Sequence, residues 1–324
     1  MNNESRFVKA IKHPEWLLGV LIRHTPIAKW MSDRSFIKWE YFSGMKKFPD
    51  LENPQTYNEK LQWLKLNDIH PDYSRMVDKA EAKEYVREVL GDDADKHIIP
   101  TLGVWNTFKE IDFDTLPNQF VLKTTHDSGG VVVVKDKATM NLAEAKNKME
   151  KSLRNNFFYQ HREYPYKNIK PRIIAEKYMV DESGTELKDY KFFCFDGEPK
   201  MLFVATDRPY DTRFDFFDTK FNHLPFMQGH PLATKPIKKP VGYEEMLDLS
   251  RKLSKGFPHV RVDLYDINGH VYFGELTFFH FSGNVPFDPE EWDYKIGKWL
   301  DLPVGGGQKW LILYVEPKRY GLCA

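Results

Sequence analysis

The chain has 324 residues, of which 41% are hydrophobic, and this allows a sizeable core in one large domain or in two to three smaller ones. Lysine plus arginine and aspartate plus glutamate both number 47, and the zero net charge argues against general electrostatic binding of nucleic acid. The cysteines Cys194 and Cys323 are too few for a disulfide framework, the first residues lack a signal-peptide pattern, and no run of about 18 apolar residues predicts a membrane span, so we expect a cytoplasmic protein.

Residues 1–50 are predicted to form an N-terminal helical extension of two or three short amphipathic helices. Two interpretations of residues 14–42 stay open. Their apolar side chains either pack on the main domain, which is the preferred interpretation, or make peripheral contact with the inner face of a membrane, where nearby basic residues favour anionic lipid. The side chains concerned are Trp16, Leu17, Leu18, Leu21 and Ile22, with Arg23 and Lys29 nearby.

Residues 51–115 are predicted to begin the main domain with two helices and a strand. In NPQTYNEKLQWLKLN, Thr56 followed three residues later by Glu59 is typical of a helix N-terminus. SRMVDKAEAKEYVREVLG predicts a second amphipathic helix that ends at Gly91, and IIPTLGVW predicts a strand and a turn.

Residues 116–180 begin with a strand, a loop of small residues and a second strand in QFVLKTTHDSGGVVVVKDK. Gly129-Gly130 predicts a hairpin turn, and backbone N–H groups of such a turn can approach phosphate oxygens beside Lys123. Neither the P-loop pattern nor G-x-G-x-x-G occurs, which excludes those nucleotide folds. A helix beginning after Asn141 and a strand in RIIAEKYMV complete the segment.

Residues 181–303 are predicted to contain two hairpins joined by a helix in VGYEEMLDLSRKLSKGF, and residues 304–324 form a glycine-hinged tail with no obvious place in a core. Asp189–Phe195 pairs with the run 200–206, and HVRVDLYDINGHVYFGELTFF forms the second hairpin. The turns are Asp196-Gly197 and Asn268-Gly269.

Two carboxylates are predicted to meet on the second hairpin. Arg261 and Asp263 share a face by the period of two, and the position of the turn brings Glu275 near Asp263. Like charges about 4 Å apart repel by about 4 kcal/mol at an effective dielectric of about 20, and Mg²⁺ would remove that cost. The alternative is a salt-bridged surface hairpin. We expect that replacing either carboxylate relieves repulsion and leaves the fold intact.

The order of these features resembles the ATP-grasp superfamily: a lysine in a helix, a lysine before a glycine loop, a strand-final Glu-Lys pair, and Arg-x-Asp followed by a Glu. More narrowly, NPQTYNEKLQWLKL, DKAEAKEYV, FVLKTTHDSGG and DYKFFCFDGEPKMLFV resemble the TupA-like ATP-grasp family, over roughly Asn53 to Pro303. The resemblance implies an α+β, ATP-grasp fold with two α+β subdomains that clasp ATP. Residues 116–180 would then be the nucleotide-binding lid, and residues 181–303 the core with the metal site.

The resemblance also implies which residues bind the nucleotide. Lys123 together with Lys83, or alternatively Lys79, would hold the α- and β-phosphates of ATP. The backbone of Glu176 and Tyr178 would read the adenine edge. The implied set is Lys83, Lys123, Ser128, Gly129, Gly130, Glu176, Lys177, Tyr178 and Asp181, with Glu182 as the alternative to Asp181 at the ribose.

The implied catalytic and metal residues lie further along the chain. Lys191 or Arg208 would approach the γ-phosphate, and Arg261 would lie near an acyl-phosphate. Mg²⁺ would be held by Asp263, Glu275 and Thr277, although many relatives have asparagine where this chain has Thr277. The acceptor is expected near His280, Ser282, Gly283 and Asn284.

Three functions follow from the sequence. The resemblance implies an ATP-dependent carboxylate–amine ligase that works through an acyl-phosphate and modifies a capsular polysaccharide or exopolysaccharide, or its precursor, with an amino acid or amine. The second hypothesis is a nucleotide-sugar glycosyltransferase, a label that the family often carries, with Asp112-Phe-Asp114 as its Asp-x-Asp pattern. The third, a non-catalytic scaffold, does not account for the phosphate and metal residues.

Overall fold

The computed structural model describes residues 17, 19–22, 25, 27–181, 184, 187–207 and 211–303. Its helices, numbered here in chain order, are α1 (Ile27–Trp30), α2 (Asp33–Met45), α3 (Tyr57–Asn67), α4 (Tyr73–Val77), α5 (Ala82–Leu90), α6 (Leu142–Leu153), α7 (Phe158–His161), α8 (Tyr243–Ser254) and α9 (Glu291–Gly297). Its strands are β1 (Thr101–Trp105), β2 (Phe120–Thr124), β3 (Val131–Val134), β4 (Ile173–Lys177), β5 (Asp189–Phe195), β6 (Glu198–Thr206), β7 (Arg213–Asp218), β8 (Met227–Gln228), β9 (His259–Ile267), β10 (His270–Thr277) and β11 (Phe287–Asp288).

The smaller sheet has four antiparallel strands in the order β1-β4-β2-β3. β2 and β3 form the hairpin that Gly129-Gly130 predicts. Phe120 and Leu122 of β2 are fully buried and pack with Met149 of α6. Because strand side chains alternate, Lys123 lies on the opposite face from this apolar layer.

The larger sheet has five antiparallel strands in the order β10-β9-β5-β6-β7. Both predicted hairpins are present, and Asn268 (φ 56°) and Gly269 (φ 85°) have the left-handed conformations that a type I′ turn requires. β5 is buried along its whole length, and α8 packs on one of its faces. Asp189 and Lys191 therefore are not solvated edge charges, although the sequence alone would have allowed that interpretation.

Thr56 begins α3 with the predicted capping box. Thr56 Oγ1 accepts a hydrogen bond from Glu59 N at 3.2 Å, and Glu59 Oε2 accepts one from Thr56 N at 3.1 Å. α3 packs against α9, where Asp293 accepts hydrogen bonds from the backbone and side-chain nitrogens of Asn58 at 2.9 and 3.0 Å. This docking fixes the position from which α3 reaches the turn at residues 280–283.

The single helix predicted over residues 74–91 is wrong, because the segment forms α4 and α5 with a break between them. At the break, Asp78 Oδ1 accepts hydrogen bonds from the backbone nitrogens of Ala80 and Glu81 at 2.9 and 3.0 Å, in place of helical carbonyls. Lys79 N donates to Thr125 O at 3.0 Å, which ties the break to the loop of the smaller sheet.

α2 packs on the rest of the protein, as the preferred interpretation of the extension predicts. Its Phe36, Ile37 and Tyr41 are fully buried, and the Arg162 guanidinium lies 4.3 Å from the Phe36 ring centroid. None of the helices that the structure describes has the length and apolar character for a membrane span. The predicted domain boundaries stay predictions. Trp16, Leu18, Arg23, Glu182, Arg208 and residues 304–324 lie outside the described residues.

Candidate active site

Two neighbouring cavities lie in the cleft between the sheets. The first has a volume of about 430 Å³ and is lined from both sheets, by residues that include Lys79, Lys123, Glu176, Asp189, Lys191 and Tyr265. The second has a volume of about 510 Å³ and is lined largely by connecting segments, with Phe157, His161, Glu163, Tyr166, Phe279 and Ser282. The wall that the two cavities share contains Lys79, Ser128, Arg261, Glu275 and Phe281.

A buried ion cluster forms the side of the first cavity that belongs to the larger sheet. The strand register places Lys191 of β5 opposite Asp263 of β9. Arg261 Nε and Nη2 donate to Asp263 Oδ1 and Oδ2 at 2.7 and 2.8 Å, and Lys191 Nζ also donates to Oδ2. Burial opposes the charge on Arg261, but the carboxylates around it, Asp263 above all, together outweigh burial and raise the pKa of Arg261. Asp263 is thus held between two cations, so the expectation that its replacement would relieve repulsion is wrong.

Glu275 lies directly opposite Asp263 because of a β-bulge at Gly274. The pairing of β9 with β10 shifts between Phe273 and Glu275, and this confirms that the two carboxylates are neighbours. A Cβ on Gly274 would lie 2.9 Å from the Asp263 carbonyl oxygen, which glycine alone avoids. Glu275 lies inside the cleft, where protein surrounds it, but 42% of its side chain is still accessible to water. This desolvation opposes its charge, but Lys191, Lys79 and Arg261 outweigh it and lower the pKa of Glu275.

Glu176 forms the opposite side of the first cavity, between two lysines. Its carboxylate lies 2.5 Å from Lys83 Nζ and 2.7 Å from Lys123 Nζ. Burial opposes its charge, but Lys123 and Lys83 outweigh burial and lower the pKa of Glu176. Lys83 Nζ also donates to Ile99 O and Thr101 Oγ1, both at 2.8 Å, so its three N–H groups are all engaged. Lys83 lines neither cavity, and it contacts the first one through Glu176.

Lys79, the alternative to Lys83, lines both cavities. The helix break brings it there, and its ammonium donates to Asp127 O. Burial lowers the pKa of Lys79, and the nearby Glu275 offsets part of that effect. The sequence missed this placement because the amphipathic pattern continues through the break.

The predicted glycine loop is held by a carboxylate that sequence reasoning did not single out. Asp127 Oδ1 accepts hydrogen bonds from Thr124 Oγ1 at 2.5 Å and from Gly130 N at 3.1 Å, and Oδ2 accepts one from Ser152 Oγ. A Cβ on Gly130 would lie 2.0 Å from Thr124 Oγ1, so Gly130 serves the packing of the loop. Ser128 and Gly129 are exposed at its tip, and Ser128 lines both cavities.

The predicted hinge follows β4. Of its residues, Glu176 lines the first cavity, whereas Lys177, Tyr178 and Asp181 line neither cavity. Lys177 N donates to Pro100 O at 3.0 Å, and Asp181 Oδ2 accepts from Lys188 Nζ at 2.8 Å. Their roles at adenine and ribose stay predictions.

His280 is a hydrogen-bond partner of Arg261, and it lines the first cavity and not the second. Arg261 Nη1 donates to His280 Nδ1 at 2.7 Å, so the ring proton is on Nε2, which donates to Gln228 Oε1 at 3.1 Å. Burial, followed by the charge of Arg261, holds the pKa of His280 well below its ordinary value. Of the predicted acceptor residues, Ser282 lines the second cavity, and Gly283 and Asn284 do not.

The predicted metal ligands differ in availability. Within the described ranges, no group of three or more His, Cys, Asp or Glu side chains is arranged to hold a metal ion. Glu275 and Thr277 line the second cavity, and Thr277 Oγ1 accepts a hydrogen bond from Arg261 Nη2 at 3.0 Å. Asp263 is fully buried and bound to Arg261 and Lys191. The oxygen ligands suit Mg²⁺ in kind, and Glu275 is the accessible one.

The sequence profile of the family described as TupA-like ATPgrasp matches residues 59–301. The chain is similar to the solved D-alanine–D-alanine ligase from Bacillus anthracis complexed with ATP, with 16% identity, a TM-score of 0.37, and coverage of 63% of this chain and 53% of that one. The D-alanine–D-alanine ligase from Helicobacter pylori is 18% identical, with a TM-score of 0.36 and coverage of 70% of this chain and 61% of that one. The ATP-grasp ligase PsnB complexed with minimal precursor is 12% identical, with a TM-score of 0.36 and coverage of 64% of this chain and 54% of that one. The chain thus spans just over half the length of these ligases, and no curated protein matches it.

Proposed function

Because this chain belongs to the TupA-like ATP-grasp family and has the α+β ATP-grasp fold, we propose that it is an ATP-dependent ligase that joins a carboxylate to an amine. The observation that carries the proposal is the convergence of four cations, Lys79, Lys123, Lys191 and Arg261, on the first cavity from separate elements. Three carboxylates line the same cavity, and the ammonium and guanidinium groups beside them are the side chains that form charge-assisted hydrogen bonds with phosphate oxygens.

In this proposal the phosphates of ATP lie against Lys79 and Lys123, with Ser128 and Gly129 at the loop tip. Lys83 supports the site through Glu176, because its own N–H groups are engaged. The proposed adenine and ribose contacts are those of the hinge, at residues 176–178 and Asp181.

The proposed reaction transfers the γ-phosphoryl group of ATP to a carboxylate, which releases ADP and gives an acyl-phosphate. An amine then displaces phosphate and forms an amide. Arg261 and Lys191, together with Arg208 as predicted from the sequence, would stabilise the negative charge of the transferring group, and their fixed positions lower the cost of reorganisation. Mg²⁺ held by Glu275, the accessible member of the predicted set with Asp263 and Thr277, would add charge neutralisation when it is bound.

We further propose that the substrates are saccharide-linked and belong to capsular polysaccharide or exopolysaccharide synthesis, on the strength of the family resemblance. The glycosyltransferase alternative gains no support from its Asp-x-Asp pattern. Asp112 accepts a hydrogen bond from Asp114 N at 3.0 Å and begins a 3₁₀ turn, and both residues are exposed away from the two cavities.

The test of the proposed function is the nucleotide product. The full chain is incubated with ATP, Mg²⁺, a panel of hexuronic acids and a pool of common amino acids, and nucleotides are separated by chromatography. We expect ADP and phosphate in equal amounts, dependent on both an acid and an amine. AMP with pyrophosphate would contradict the acyl-phosphate route. Turnover of UDP-sugars without ATP would favour the glycosyltransferase.

The cytoplasmic location, with peripheral contact at the inner membrane face, is also a proposal. Leu21 and Trp30 are 48% and 87% exposed, whereas Phe36 of the neighbouring α2 is fully buried. Removing residues 1–50 would therefore take away part of the core, and point variants are the better test. We expect Leu21→Ser with Trp30→Ser to reduce sedimentation with anionic vesicles, whereas Val241→Ser, at an equally exposed site elsewhere, does not. Equal sedimentation of all three proteins would argue against membrane contact.

A further inference from the structure

The second cavity contains a buried carboxylate that the proposed nucleotide site does not use. Glu163 is only 3% exposed, and it lines the cavity together with Arg261 and Glu275, which the first cavity shares. Its Oε1 accepts a hydrogen bond from the Ser282 hydroxyl. A carboxylate in such a place needs a reason, because burying a charge away from water is costly unless it is paired.

A strained turn holds Ser282 against Glu163. Phe281 and Ser282 have φ values of 49° and 54°, and consecutive left-handed conformations are unfavourable for residues other than glycine. The turn is secured from α3, because Gln62 Nε2 and Lys65 Nζ both donate to Ser282 O at 2.8 Å. Three elements thus cooperate to fix one hydroxyl on one carboxylate, which is typical of a preorganised site.

The surroundings favour a carboxylate that can accept a proton. Burial raises the pKa of Glu163, and the positive charges of Lys65 and His161 offset only part of that effect. His161 Nδ1 lies 2.6 Å from Glu40 Oε1, and Glu40 further opposes ionisation of Glu163. Four aromatic side chains, Phe157, Tyr166, Phe279 and Phe281, line the same cavity, and aromatic faces attract organic cations.

We propose that the second cavity is the acceptor subsite for a primary amine and that Glu163 is the base that receives a proton from its ammonium group. This inference rests on the proposed function. The ammonium gives one proton to Glu163, and the nitrogen lone pair forms the C–N bond with the acyl carbon. The C–O bond to phosphate then breaks with its electron pair, and a second proton leaves the nitrogen with the phosphate. The acyl-phosphate and the amine would meet beside Arg261 and Glu275, which lie in the wall shared by the cavities.

The test compares two nucleophiles that differ in charge. Hydroxylamine is uncharged at neutral pH, traps acyl-phosphates as hydroxamates and needs no base, whereas amino acids present an ammonium group. Wild type and Glu163→Gln are assayed with ATP, Mg²⁺, the hexuronic acid panel and either hydroxylamine or the amino acid pool. We expect Glu163→Gln to keep hydroxamate formation and the KM for ATP, and to lose roughly 100-fold or more in amide formation.

Two further variants make the result specific. Glu150→Gln, on α6 and outside both cavities, should match wild type with both nucleophiles. Ser282→Ala keeps the carboxylate but removes its hydrogen bond, and we expect a smaller loss, confined to amide formation. It also serves as the test if Glu163→Gln does not fold, which its melting curve will reveal.

The outcomes separate this inference from the proposed function. Equal amide formation by wild type and Glu163→Gln overturns this inference and leaves the ligase proposal standing. The absence of both hydroxamate and ADP from wild type overturns the ligase proposal and this inference with it.

Discussion

The first cavity takes its walls mainly from strands, whereas the second takes them mainly from the segments that connect strands and helices. In the first, Lys191, Asp263 and Glu275 meet because antiparallel register fixes which residues face each other. In the second, Glu163, which precedes the 3₁₀ turn Tyr164–Tyr166, meets Ser282 of a strained turn far away in the chain. The charged side chains of the first cavity form a network of ion pairs, whereas the second adds to the shared wall a buried carboxylate, Glu163, and the aromatic side chains Phe157, Tyr166 and Phe279.

The charged side chains of the two cavities affect the stability of the fold in opposite ways. Charges in the first cavity neutralise each other, so removing one exposes its partner. Glu163 in the second has an ionised form that burial disfavours, so removing its charge should help the fold.

The largest effect on stability is expected for Asp263→Asn. Arg261 and Lys191 would lose their shared anion in a buried site, which typically costs about 3–5 kcal/mol. Glu275 pairs with Asp263 across the two strands, but its side chain is open to the cavity. Glu275→Gln should therefore change the free energy of unfolding by less than about 1 kcal/mol. Urea unfolding of the three proteins measures both. Similar losses for the two variants would mean that the ion cluster does not hold Asp263 as described.

A smaller effect, on ligand affinity, separates the two candidate lysines. Lys79→Ala should weaken ATP binding by about 10- to 100-fold, because a hydrogen bond to a charged group contributes about 1.5–3 kcal/mol. Lys83→Ala should lower the melting temperature, because Glu176 loses one partner, and should change ATP affinity less than Lys79→Ala does. The reverse order of affinities would restore Lys83 as the phosphate ligand.

The residues of the first cavity could be predicted from the sequence better than those of the second, for a physical reason. Hairpin turns such as Asn268-Gly269 fix register, and register placed Glu275 beside Asp263 without any knowledge of tertiary structure. The position of Lys79 depends on a break that Asp78 stabilises with its own side chain, inside a pattern that otherwise reads as one helix. Glu163 gave no signal at all, because its neighbour Ser282 comes from a distant segment. Ser282 itself was identified only through its place after the second hairpin.

The smallest effect is expected in the second cavity, from Glu163→Gln and its pH dependence. Because burial raises the pKa of Glu163, the folded state binds its proton more tightly than the unfolded state does, and the ionised form costs stability above that pKa. The variant should therefore be more stable than wild type near neutral pH. The difference should shrink as the pH falls through the raised pKa towards the ordinary value of 4.5.

Urea unfolding across this pH range measures the effect, with Glu150→Gln as the control. The groups that also act on Glu163 are Lys65, His161, Glu40 and Ser282, and all are retained in the variant. A variant that is less stable than wild type at neutral pH, with the gap closing in acid, would indicate that Glu163 is stabilised as an anion. The contrast between the cavities would then fail.

Calorimetric titration of the full chain with ATP and Mg²⁺ tests whether ATP binds in the first cavity against Lys123. We predict one binding site in wild type and at least about a tenfold loss of affinity in Lys123→Ala, since a phosphate would lose a charged partner. The fold should survive because Lys83 still pairs with Glu176. Lys151→Ala, on the exposed face of α6, should bind as wild type does. Absence of binding to wild type, or unchanged affinity in Lys123→Ala, would mean that ATP does not bind in the first cavity against Lys123.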